Sequence, residues 1–247
     1  MSDGGVPIDS GSTAPLPLPL PDAGAPMLDA GPPGVTWNAL MISGDDSITA
    51  FDRARETVSG LFVEDGLDPA NMIHLSRDRR LQVDGVRDTS VEGIEGAMMD
   101  LGVREGEGCV VFMTSHGSRS GFYINGRDYL LPRRLDEILD RACGNRPTVV
   151  LISACYSGVF IPDLQAPHRI ILTAAREDRT SFGCSAEATY TYWDGCLIEE
   201  YPEARTWPEL YEKVRKCIED KEGSSYTPSH PQASFGADVA TLPIFHR

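Results

Sequence analysis

The chain has 247 residues, and its 37 Asp and Glu outweigh 22 Lys and Arg to give a formal charge of -15 at pH 7. That balance excludes a function built on phosphate-backbone contacts, which needs clustered basic side chains, and it disfavours an anionic membrane surface. At 41% hydrophobic and 24% charged residues the composition is that of a globular protein with a sizeable core. Its longest apolar runs, such as Cys109 to Met113, fall far short of the roughly 18 residues a spanning helix needs. Neither nucleic acid nor membrane is expected as a partner.

Residues 1–34 hold 8 of the 18 prolines, with Leu and Pro alternating from Leu16 to Pro21. Such a segment favours extended polyproline II and cannot build a core. A disordered leader over 1–34 and one domain over 35–247 are therefore expected. The leader is alternatively a pro-segment or docking tail that covers an active site. Met1 to Phe51 contains no Lys or Arg, so the charged start of a secretory signal peptide is missing. The expected location is cytoplasmic, or exported if a signal peptide has been removed.

From Trp37 the pattern becomes that of alternating strands and helices. Trp37 to Ser43 reads as a strand ending in a Gly44-Asp45-Asp46 turn, and Thr49 to Val63 as a helix with Thr49 as N-cap. Asn71 to Leu75 is a second strand, Arg77 to Arg87 a charged loop, and Thr89 to Leu101 a helix. Residues 108–114 are apolar on both faces, which marks a buried parallel strand. Phe122 to Leu130 predicts a β-hairpin around Asn125-Gly126. Pro132 to Arg141 follows as a helix, then buried strands at 148–153 and 169–173, and a late helix from Trp207 to Glu219. The fold class expected is an α/β three-layer sandwich around a mostly parallel sheet.

Six cysteines (109, 143, 155, 184, 196 and 217) include no C-x-x-C pair, which excludes a zinc knuckle or thioredoxin-like motif. Several lie in apolar stretches, where free cysteine packs as a small hydrophobe. The expectation is a reducing compartment, with one functional thiol among them and Cys184 and Cys196 in the core. His74, His168, His230 and His246 lack partners at ligand spacing and read as structural or surface groups. Arg77 to Arg80 reads as a solvated loop, with a processing or exosite segment as the alternative. Tyr190, Tyr192 and Trp193 are expected to pack a helix.

Ligands of an open parallel sheet bind beyond the carboxyl ends of its strands. There the 108–114 strand runs into Ser115-His116-Gly117-Ser118, and the 148–153 strand into Ala154-Cys155-Tyr156-Ser157-Gly158. A right-handed crossover brings those ends side by side. His116 and Cys155 then form a base and a nucleophile, the thiolate being the reactive form. Gly117 lets backbone approach a substrate, so its N–H and that of Cys155 form the expected oxyanion hole. Gly158 allows a tight exit from the nucleophile turn. Taken singly, His116 is a satisfied loop histidine and Cys155 an inert hydrophobe; their joint placement at two rim turns favours function.

Thr114-Ser115-His116-Gly117-Ser118 followed by Ser153-Ala154-Cys155-Tyr156-Ser157-Gly158 resembles peptidase family C13, the legumain-like cysteine proteases of the caspase-related clan. Leu172-Thr173-Ala174-Ala175 with Arg179 to Cys184, and Ser229 to Gly236, are similar to two further family segments in the same order. The resemblance is closest to bacterial members. It implies a caspase-like fold and cysteine endopeptidase activity on a protein or peptide substrate, with no metal or organic cofactor. His116 and Cys155 carry over as the catalytic dyad, and Ser181 as a wall of the pocket for the residue before the scissile bond. The chain departs from the family at Ser153, where legumains carry glutamate and metacaspases aspartate, at Ser115, and at Ala50, where the family has an arginine. Asp194 stands for the acidic residue deeper in that pocket. The same acyl-enzyme resolved by an amine would make a transpeptidase. A protease-like scaffold without activity is a further alternative, and self-processing in the leader or at Arg77–Arg80 is a regulatory expectation.

Overall fold

The layers follow from strands whose side chains are buried on both faces, so that helices must cover both sides of the sheet. The computed structural model describes residues 1, 35–83, 85–124, 128–224 and 227–245. The expected disorder of the leader, the Asn125-Gly126 turn and His246 lie outside the described residues. The strands of the main sheet are β1 (Thr36–Ser43), β2 (Met72–Ser76), β3 (Arg87–Asp88), β4 (Glu107–Thr114), β8 (Thr148–Ser153), β9 (Arg169–Thr173) and β10 (Gln232–Phe235). They pair in the order β10-β9-β8-β4-β1-β2-β3, all parallel except β10, which runs antiparallel to β9. A small antiparallel sheet of β5 (Gly117–Ser118), β6 (Gly121–Ile124) and β7 (Asp128–Leu130) follows β4.

Successive side chains of a strand face opposite sides, so each central strand feeds two cores. Met41, Phe112 and Leu151 point to one face, where α1 (Ala50–Glu64), α5 (Tyr192–Glu200) and α6 (Trp207–Glu222) contribute Phe62, Trp193 and Trp207. Ile42, Met113 and Ile152 point to the other, under α2 (Val91–Asp100), α3 (Pro132–Ala142) and the short α4 (Ile161–Leu164), which supply Met98, Leu135 and Leu164. Each fully buried side chain of this size contributes about 1.5–3 kcal/mol. The architecture is the α/β three-layer sandwich that the strand pattern predicts. Among the described residues no helix is long and apolar enough to cross a membrane.

Element ends differ from expectation for local reasons. Thr49 is already in helical conformation and its hydroxyl caps nothing, whereas Ser90 accepts from the Gly93 N–H at 2.9 Å and starts α2 two residues later than expected. Helix α5 begins where Thr191 accepts from the Asp194 N–H, and Trp193 is buried in its core contact. His74 is held in a structural role: the Arg55 guanidinium donates to its Nδ1 at 2.8 Å. Burial and then the Arg55 charge lower its pKa to about 4, so it is neutral near pH 7.

The expectation that the cysteines are free is corrected. Cys109 on β4 is bonded to Cys143 just beyond α3, and Cys196 on α5 to Cys217 on α6. Spacing along the chain does not reveal these pairs, because each is made only when a helix layer docks. With 34 and 21 residues between the partners, the loop-entropy model gives about 3–4 kcal/mol for each. Only Cys155 and Cys184 remain free. Thiol titration of the denatured, unreduced chain is expected to count two thiols; a count of six would remove both bridges.

Candidate active site

Thr114 is paired directly with Ser153 at the ends of β4 and β8, and the ladder continues with Ser115 N–H donating to the Ser153 carbonyl at 3.1 Å. His116 and Cys155 each lie two residues past those paired ends, so they leave the sheet as neighbours. Gly117 shows how close the two turns come. A Cβ on it would sit 2.2 Å from the Cys155 carbonyl oxygen and 2.9 Å from Ala154 Cβ. Only glycine fits there, and the reason is steric contact with the Cys155 turn.

The backbone of Gly117 faces a definite way. Gly117 pairs with Phe122, and Tyr123 N–H donates to the His116 carbonyl at 3.0 Å. That makes the pair one of the non-hydrogen-bonded kind, in which the Gly117 N–H points away from β6. His116 itself is held on three sides. Its ring meets Phe51 edge-on at 5.1 Å and Tyr123 at 6.3 Å, and its Nε2 lies 3.3 Å from Ser47 Oγ. Asp45 fixes that serine by accepting the Ser47 N–H at 2.6 Å. Ser115, where the family pattern has aspartate, donates its hydroxyl to the Tyr123 carbonyl and clamps the hairpin.

Cys155 is half-buried, and its Sγ accepts from the Ser181 N–H at 3.3 Å. The residue after it, Tyr156, adopts a left-handed conformation with φ 58°, a strained state for a non-glycine residue. The strain is held by Tyr156 N–H donating to Arg179 and Gly158 N–H to Ala175, both carbonyls. Gly158 is needed at that exit because a Cβ there would lie 2.6 Å from the Glu177 nitrogen.

Asp194 is fully buried beneath the strand ends, with Thr114 Oγ1 donating to its Oδ2 at 2.8 Å. Its Oδ1 has no hydrogen-bond partner among the described residues. Ser153 Oγ lies 3.3 Å from Thr191 Oγ1 in the same buried cluster. Burial raises the Asp194 pKa to about 6, against the opposing pull of the nearby Thr114, Ser153 and Thr191 hydroxyls. Cys184, expected in the core, is half-buried, and burial with the nearby Cys155 and Asp194 charges pushes its thiol up to about 12. It is therefore a poor nucleophile.

The structure thus brings His116, Gly117, Cys155 and Ser181 together at one rim, with Ser153 and Asp194 beneath it. Ser47, Phe51, Tyr123, Tyr156 and Thr191 escaped the sequence reading. Asp45 and Ser47 had one usable signal, the turn directly after β1. Among the described residues no cluster of three His, Cys, Asp or Glu could hold a metal ion.

This rim, on a sheet with one antiparallel edge strand, is the arrangement of a caspase-like fold. Caspase-1 from Spodoptera frugiperda superposes with a TM-score of 0.59 at 14% identity, over 82% of this chain and 87% of that one. The model of the peptidase C13 family matches residues 91–234, which include His116, Cys155 and Ser181, and the chain belongs to that family. No curated protein matches it.

Two substitutions test this geometry. Gly117→Ala is expected to keep the fold by circular dichroism but to lower kcat/KM roughly 100-fold, since the added methyl must push the two turns apart; a loss under about threefold would contradict the close approach. Asp194→Asn addresses the buried carboxyl. A folded pKa above the ordinary value means the native state holds the proton more tightly than the unfolded chain. The group therefore costs stability as pH rises from about 4 through 6. Relative to wild type, the asparagine variant should gain up to about 3 kcal/mol between pH 4 and pH 7 in urea unfolding. A constant difference across that range would place the carboxyl in water.

Proposed function

We propose that the chain is a cysteine endopeptidase in which Cys155 is the nucleophile and His116 the proton carrier. The thiolate of Cys155 attacks the scissile carbonyl carbon, and the carbonyl oxygen becomes an oxyanion. The N–H groups of Gly117 and Cys155 receive that charge, a contribution realised mainly in the transition state. Collapse of the intermediate breaks the C–N bond, His116 protonates the departing amine, and a thioester remains on Cys155. Water, deprotonated by His116, then hydrolyses the thioester and restores the thiol. The observation that carries this reading is the approach of Gly117 to the Cys155 carbonyl, with the Gly117 N–H turned away from β6, which supports a base, a nucleophile and an oxyanion donor at one rim.

Ser153, Ser181 and Asp194 line the pocket for the residue before the scissile bond in this reading. The Ser153 hydroxyl stands where relatives carry an acid, and the Asp194 carboxyl lies beneath it, with no hydrogen-bond partner for Oδ1 among the described residues. The two disulfides favour an oxidising compartment, the exported alternative over the cytoplasmic one.

The test is cleavage-site profiling of a peptide library by wild type, Cys155→Ala and His116→Ala. Wild type is expected to cut, the Cys155 variant to show no turnover, and the His116 variant to lose roughly 100-fold or more in kcat. Iodoacetamide should label Cys155 well before Cys184, whose thiol is at about 12. Unchanged cleavage by Cys155→Ala would overturn the assignment.

A further inference from the structure

Three neighbouring strands release residues onto the rim in the same register. Ser43 of β1 pairs with Thr114 of β4, which pairs with Ser153 of β8. Two residues past these ends come Asp45, His116 and Cys155. The strand order β8-β4-β1 therefore sets Cys155, His116 and Asp45 in a row, with the histidine between thiol and carboxylate. On the Asp45 side lies a cavity of about 300 Å³ lined by Asp45, Ser47, His116, Gly117, Tyr123 and Tyr129. None of Cys155, Ser153, Ser181 or Asp194 lines it, so it is separate from the residues proposed above for the acyl half.

We propose that this cavity receives the leaving half of the substrate and selects a lysine or arginine immediately after the scissile bond. The inference rests on the endopeptidase reading above and extends it to the other side of the bond. The acyl half stays on Cys155, and the amine leaves towards the group that protonates it. A cavity walled by His116 and turned away from the thiol is where the first residue of the departing chain comes to lie.

Its walls specify the chemistry. Tyr123 and Tyr129 are cross-strand partners, and alternation sends their neighbours Phe122, Ile124 and Leu130 into the core. Their own rings face the cavity with centroids 5.5 Å apart at 67°. Asp45 is 3% exposed, and among the described residues no Lys or Arg forms an ion pair with it. Two aromatic faces and one carboxylate attract a side-chain cation with an apolar stem. A carboxylate in the substrate at this point would be repelled.

The experiment fixes the acyl half at the sequence favoured in the profile and places Lys, Ala, Phe or Glu after the cut. A matched coumarin amide, with no residue after the bond, reports acyl transfer alone. Wild type is expected to prefer Lys over Glu by about 30-fold in kcat/KM, with Ala between them. Tyr129→Ala and Asp45→Asn should each shrink that ratio to about fivefold or less, whatever their rates on the coumarin amide. Equal rates on the four peptides, or Phe above Lys, would overturn the subsite and leave the endopeptidase reading standing. No cleavage of any peptide or of the coumarin amide by wild type would overturn both. Tyr129 is 36% exposed, so its variant tests the ratio even if Asp45→Asn does not fold.

Discussion

The register that sets Thr114 opposite Ser153 is the constraint on which the rest of the rim depends. It is fixed far from the chemistry, by strands β4 and β8 whose side chains are buried on both faces. A slip of one residue would exchange the two faces of a strand and bring Val111 and Val150 into the wrong core layers. The hydrophobic effect thus enforces the placement of His116 and Cys155 without any contact between those two side chains. Gly117 then converts the register into a close approach, because it alone can rest against the Cys155 carbonyl.

Around that rim the two layers have different duties. The layer of α1, α5 and α6 lies beneath the Cys155 side of the rim, since α5, capped by Thr191, carries Asp194 and is tied to α6 by Cys196–Cys217. The opposite layer anchors the small sheet of β5, β6 and β7, whose Tyr123 meets the His116 ring. A peptide bond poised between Cys155 and His116 would have its acyl half on the first side and its amine half on the second. Buried ionisable groups accompany this division. Asp194 costs stability as pH rises through its range, whereas the neutral, half-buried His74 contributes the opposite slope over nearly the same interval.

Relatedness and structure carry different parts of the reading. The family match covers the segment that holds His116, Cys155 and Ser181. The likeness to an insect caspase at 14% identity speaks to the fold. Ser115 is a place where the structure explains a departure from the family: its hydroxyl secures the hairpin through the Tyr123 carbonyl. Ser153 is another, since its hydroxyl joins Thr191 above the buried Asp194.

The sequence by itself determined the layers of this fold, because short runs apolar on both faces alternate with segments of helical period, the pattern of a parallel sheet flanked by helices. It also determined that His116 and Cys155 share a rim, since strand ends in an open sheet leave their turns on one side. Only the tertiary structure decided what depends on packing between distant segments. Cys196 reads as a core thiol and Cys109 as one residue of an apolar strand, and only the docking of α3 and α6 brings up their partners. Tyr156, with a positive φ, carries no local signal, for its strain is held by Arg179 on another turn. Asp45 reads as part of an ordinary turn and Ser47 is not singled out, because their relation to His116 exists only once β1 lies beside β4. Local pattern reports burial and period; the identity of a neighbour across the sheet is a long-range fact that no window of sequence contains.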